Sequence, residues 1–98
     1  MKGFGNDKKN IRKKIALEND ISNKNQLISN AFLYHSKGKI KEASEIYKYL
    51  IKKGFNDPRI LTNLGTIYQQ LNDFDKAMLL YKESIKRFPK SFEAYANL

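Results

Sequence analysis

The stretch Leu61–Pro89, LTNLGTIYQQLNDFDKAMLLYKESIKRFP, decides how the whole chain is read. Leu61, Leu64, Ile67, Tyr68 and Leu71 recur at helical spacing, and Asn72-Asp73 interrupts them. Ala77, Met78, Leu80, Tyr81 and Ile85 then line a second helix, and Pro89 follows shortly after its end. Just upstream, Asp57 is a good N-cap, and Pro58 suits the first helical position, where a missing N–H costs nothing. Asp73 caps the second helix in the same way. Gly65 does not fit the pattern, since an interior helical glycine costs roughly 0.5–1 kcal/mol relative to alanine. Close approach of two antiparallel helices explains it, with Gly65 expected against Ala77 and with Tyr68 and Tyr81 filling the space beside them.

The pattern occurs earlier in the chain as well. Leu27, Tyr34, Ala43, Tyr47, Lys48, Ile51 and Lys52 return 34 residues later as Leu61, Tyr68, Ala77, Tyr81, Lys82, Ile85 and Lys86. Gly38 aligns with Asn72, and these two residue types best tolerate the left-handed conformation between helices. The first unit therefore reads as a helix from Gln26 to Lys37, a turn at Gly38, a helix from Ile40 to Lys53, and a stop at Gly54. A third copy opens at Phe92, with Asn97-Leu98 repeating Asn63-Leu64. Period-two alternation, the mark of half-buried strands, is missing throughout.

Composition bounds the rest. The chain has 98 residues, a 41% apolar fraction and a formal net charge of +9, enough for one small domain. It has no cysteine, so neither a disulfide framework nor a thiolate metal site is available. The first residues lack the apolar core of a secretory signal, and no apolar run reaches a membrane span, so the expected location is cytoplasmic. The positive charge raises the question of nucleic acid. Its cations, however, are 16 Lys and only 3 Arg, whereas Arg is the preferred base reader and phosphate fork. Residues 1–23, with six cations, three anions and few apolar residues, read as a basic disordered tail. The sharper alternative is a short amphipathic segment around Ile11–Leu17 touching a membrane or partner.

Leu61, Leu64-Gly65, Tyr68, Phe74, Ala77, Tyr81 and Pro89 together resemble the tetratricopeptide signature, at that family's spacing and period. The first unit departs from it, with Asn30, Ala31 and Phe55 where the family has Leu, Gly and Pro. The resemblance implies an all-α fold of helix-turn-helix repeats stacked as a short right-handed α-solenoid. Its expected divisions are a tail at 1–23, an atypical unit at 24–57, a second unit at 58–91 and a truncated third at 92–98. Solenoids usually finish on a polar capping helix, which Tyr95 and Leu98 do not make, so a longer array is expected.

The resemblance also implies binding rather than catalysis, in a concave groove lined by the first helix of each unit, with a protein or peptide partner and no cofactor. Its groove-facing positions are Ile28, Ser29, Phe32, His35 and Ser36, then Arg59, Thr62, Asn63, Thr66, Gln69 and Gln70. Phe32, Arg59, Asn63, Thr66, Gln70 and Asn97 are the candidate contacts, with Asn63 and Asn97 placed where the family can bond a ligand's backbone. Asn63 is expected to point away from the packed face. The Lys–Asn carboxylate clamp of chaperone-tail receptors is missing, since Ile28 and Phe32 occupy those positions. They suit an apolar contact or packing beneath the preceding segment instead.

No catalytic or metal-binding set stands out. His35 is the sole histidine, and no metalloprotease, phosphate-loop or dinucleotide motif occurs. Asp73 and Asp75 are explained by capping and the helix dipole. Two other readings remain open, an N-terminal arm of a larger bacterial glycosyl-, sulfo- or methyltransferase and a basic nucleic-acid- or membrane-contacting module.

Overall fold

A computed structural model describes residues 23–96, apart from the side chains at 93 and 96. Every regular element in that span is an α-helix. They are α1 (residues 23–36), α2 (Ile40–Lys52), α3 (Pro58–Gln70), α4 (Phe74–Arg87) and the short α5 (Phe92–Ala96). The expected tail falls outside the described residues except for Asn23, which is helical and lengthens α1 beyond the Gln26 start read from the sequence.

The connections show why the helices end where they do. Gly38 (φ 78°) and Asn72 (φ 62°) both adopt the left-handed conformation, 34 residues apart. Around each, the same hydrogen bonds close the turn. Lys39 N–H donates to Tyr34 C=O at 2.8 Å, and Asp73 N–H to Tyr68 C=O at 2.8 Å. Gly38 N–H reaches His35 C=O and Asn72 N–H reaches Gln69 C=O, at 3.0 and 3.1 Å. Such wrap-around bonds satisfy carbonyls that the helix end would otherwise leave unpaired. The chain thus reverses direction twice by one mechanism.

Helix starts follow their caps. The Asp57 carboxylate accepts from Arg59 N–H at 3.0 Å with Pro58 at the first helical position, and Asp73 accepts from Lys76 N–H at 3.3 Å. Between these ends, the apolar faces meet in one core of Ile28, Ala31, Ala43, Tyr47, Leu50, Ile60, Leu64 and Ile67. α3 packs on α2 and α4, and α5 closes against α3 and α4 with Ala94 fully buried.

Gly65 is buried where α3 meets α4, but the wall it faces differs from the expected one. A Cβ built at Gly65 would stand 2.5 Å from Tyr81 Cε1 and 2.8 Å from Cδ1, and its three nearest neighbours all belong to that ring. Ala77 is buried on the same helix as Tyr81, yet the aromatic ring is what lies over the glycine.

Candidate functional site

α1 and α3 are fastened to each other at both ends. At the N-terminal ends, Lys24 Nζ donates to Asp57 Oδ2 at 3.2 Å and Arg59 Nη2 donates to Asn25 Oδ1 at 3.2 Å. At the C-terminal ends, His35 Nε2 lies 2.6 Å from Gln70 Oε1. With an amide oxygen as its partner, that ring nitrogen carries the proton. Between the two fastenings lies a groove of about 560 Å³, lined by Ile28, Ser29, Phe32, Leu33, Arg59 and Asn63.

Each lining residue has a distinct role. Phe32 is 61% exposed and Leu33 53%, so both offer apolar area to solvent. Ile28 is buried and forms part of the core as well as the floor. Arg59 does not project a free charge into the groove. Its Nε and Nη2 grip Asp57 at 3.0 and 2.7 Å, a forked, charge-assisted pair. Burial pushes the Asp57 carboxyl up, but hydrogen bonds from the Arg59 side chain and backbone and from Lys24, with the Arg59 charge, outweigh it and bring the pKa to about 2.

Asn63 does not point away from the packed face as expected. Its Nδ2 donates to Tyr47 Oη at 3.0 Å, and Tyr47 is fully buried. Burial raises the Tyr47 pKa, with the Asn63 hydrogen bond acting in the opposite sense. The amide oxygen is the part of Asn63 left for an outside contact. Thr62 is likewise buried, with Oγ1 donating to Pro58 C=O at 2.7 Å, so it does not belong to the groove surface.

Farther along α3, Thr66 Oγ1 donates to Thr62 C=O at 3.0 Å. The Tyr81 hydroxyl donates to Gln69 Oε1 at 2.9 Å and stands 3.3 Å from Thr66 Oγ1. The groove thus collects Ile28, Ser29, Phe32, Arg59 and Asn63 from the expected groove-facing positions. Thr66 and Gln70 lie beyond it toward the C-terminal end of α3, and Asn97 falls outside the described residues. Leu33 and the pairing of Asp57 with Lys24 and the Arg59 side chain are not marked in the sequence pattern. The pairing of Asp57 with a lysine 33 residues away is invisible until α1 and α3 lie side by side.

Among the described residues no helix is long and apolar enough to cross a membrane, and no three His, Asp or Glu side chains converge as metal ligands would. The family model of the tetratricopeptide repeat matches residues 58–91, and no solved structure matches the chain. Repeats of this family are protein-interaction modules and are typically non-catalytic. Residues 58–91 are the α3–α4 pair with its caps, turn and glycine–tyrosine crossing, and this pair is a tetratricopeptide repeat.

Proposed function

We propose that this protein is an interaction scaffold that takes a peptide or helix of a partner protein in the groove between α1 and α3. One observation carries the reading. Phe32 and Leu33 stand exposed over a hollow whose only charged lining residue among the described residues, Arg59, is paired with Asp57. A site of that kind takes an apolar side chain from its ligand and orients the ligand's backbone through neighbouring amide and hydroxyl groups. Ser29 and the Asn63 oxygen supply those groups here, with Thr66 and Gln70 extending the polar surface along α3. On this reading residues 24–57 are a first, atypical unit and residues 92–98 begin a third.

The test is a random-peptide selection against the full chain, followed by amide shift mapping with the peptide it enriches. Shifts centred on residues 28–33 and 59–63, lost in Phe32→Asp, support the groove. Shifts centred on the exposed side of α4, or undiminished binding by Phe32→Asp, refute it.

A further inference from the structure

The first helix pair has a second hollow on a different side. It measures about 350 Å³ and is lined by Leu27, Tyr34, Glu42, Glu45, Ile46 and Tyr49, all from α1 and α2. Tyr34 is 37% exposed and Tyr49 46%, so aromatic area lies open here. Glu42 and Glu45 are both exposed, and neither forms an ion pair among the described residues. Lys39 and Lys53 stand over the Tyr34 and Tyr49 rings at 5.9 and 5.8 Å, which leaves Glu42 and Glu45 as the carboxylates open to an outside cation beside the apolar floor.

We propose that the chain's own N-terminal segment occupies this hollow, with Ile11 and Ile15 on the apolar floor and Lys8, Arg12 or Lys13 against Glu42 and Glu45. Composition, charge and reach support this. The segment KKNIRKKIAL, residues 8–17, places two isoleucines four apart among five cations and carries no acid. Its charge is opposite to that of the two carboxylates, and its apolar residues match the open floor. Seven residues, 16–22, lie between Ile15 and Asn23, the first described residue of α1. Extended, the chain from Ile15 to Asn23 spans up to about 28 Å. Tyr34 lies eleven residues into α1, or about 17 Å along the helix axis. At full extension the segment therefore has the length to reach the hollow. A partner protein would need the same pairing of basic and aliphatic residues, which the chain already carries next to the site.

The chain has no cysteine, so Ala16→Cys gives a single attachment point for a nitroxide on the full-length protein. Amide signals of Leu27, Ile46 and Tyr49 should lose intensity, recover when the label is reduced, and stay unbroadened in the labelled double variant Glu42→Lys/Glu45→Lys. Both glutamates are exposed, so helical circular dichroism should be unchanged by the reversal. If that variant nevertheless unfolds, labelled Ile11→Asp/Ile15→Asp replaces it, with the same loss of broadening expected. Broadening centred on Phe32 and Asn63 would overturn the assignment, as would broadening that persists in the variants. Two further results would do the same: signals unaffected beyond the label's sequence neighbours, or broadening that also occurs between labelled and separately isotope-enriched molecules.

Discussion

Tyr81 lies over Gly65 so closely that no side chain fits between the ring and the α3 backbone. The ring has little freedom to withdraw, because its hydroxyl is held by Gln69 at 2.9 Å on the same helix as the glycine. Gly65→Ala should therefore destabilise the fold although alanine favours the helix by up to about 1 kcal/mol. Gly65→Leu should cost more, about 1–3 kcal/mol or above, as an overpacked contact does. Urea midpoints of both variants measure this, and a raised midpoint for Gly65→Ala would contradict the assigned crossing.

Asn63 supports a buried hydroxyl, so its truncation should be felt in folding. Asn63→Ala should lower stability by about 1–3 kcal/mol by leaving Tyr47 Oη without its partner. Adding Tyr47→Phe should cost far less than the sum of the two single changes. A double-mutant cycle in urea reads the coupling, and strict additivity would show that the bond contributes nothing.

Asp57 gives the fold a defined acid limb. Its carboxyl lies at about 2 when folded against an ordinary 3.8, so the charged form is the one the folded state favours. That stability is fully present above pH 4 and disappears as pH falls through about 2, a contribution of about 2 kcal/mol at neutral pH. Asp57→Asn keeps an N-capping side chain but removes the charge. It should lower stability at pH 7 and flatten the loss between about pH 4 and 2, which thermal unfolding across that range would detect.

Phe32 and Lys82 separate groove from surface. Phe32→Ala should leave the denaturation midpoint nearly unchanged, because the ring is mostly in solvent, yet weaken a groove-bound peptide several-fold. Lys82→Glu, exposed on α4, should change neither by more than about 0.5 kcal/mol at physiological salt. Isothermal titration with a selected peptide distinguishes the two, and loss of binding by Lys82→Glu alone would point to an electrostatic outer face instead.

Local chemistry made much of this legible in advance. Gly38, Asn72, Asp57, Pro58 and Asp73 act through their own backbones, so their turn and cap roles could be read without knowing what packs where. The 34-residue period likewise fixed which residues occupy equivalent places. Partner identity across helices was another matter. Whether Gly65 faces Ala77 or the Tyr81 ring depends on the crossing geometry of α3 and α4, and both residues lie on the buried side of α4. Asn63 was misjudged for the same reason. The residue that claims its amide is 16 positions away on α2, and nothing local marks the pairing.

The two fastenings between α1 and α3 act as a pair of pins on a plate. Lys24–Asp57 with Arg59–Asn25 holds one end, and His35–Gln70 the other. Ile28 and Ala31 share a core with Ile60, Leu64 and Ile67, so releasing His35 from Gln70 would loosen one end of the groove while the core keeps the helices in place. The exposed amide–imidazole contact thus trims one end of the groove, while the buried residues beneath it fix the spacing of the helices.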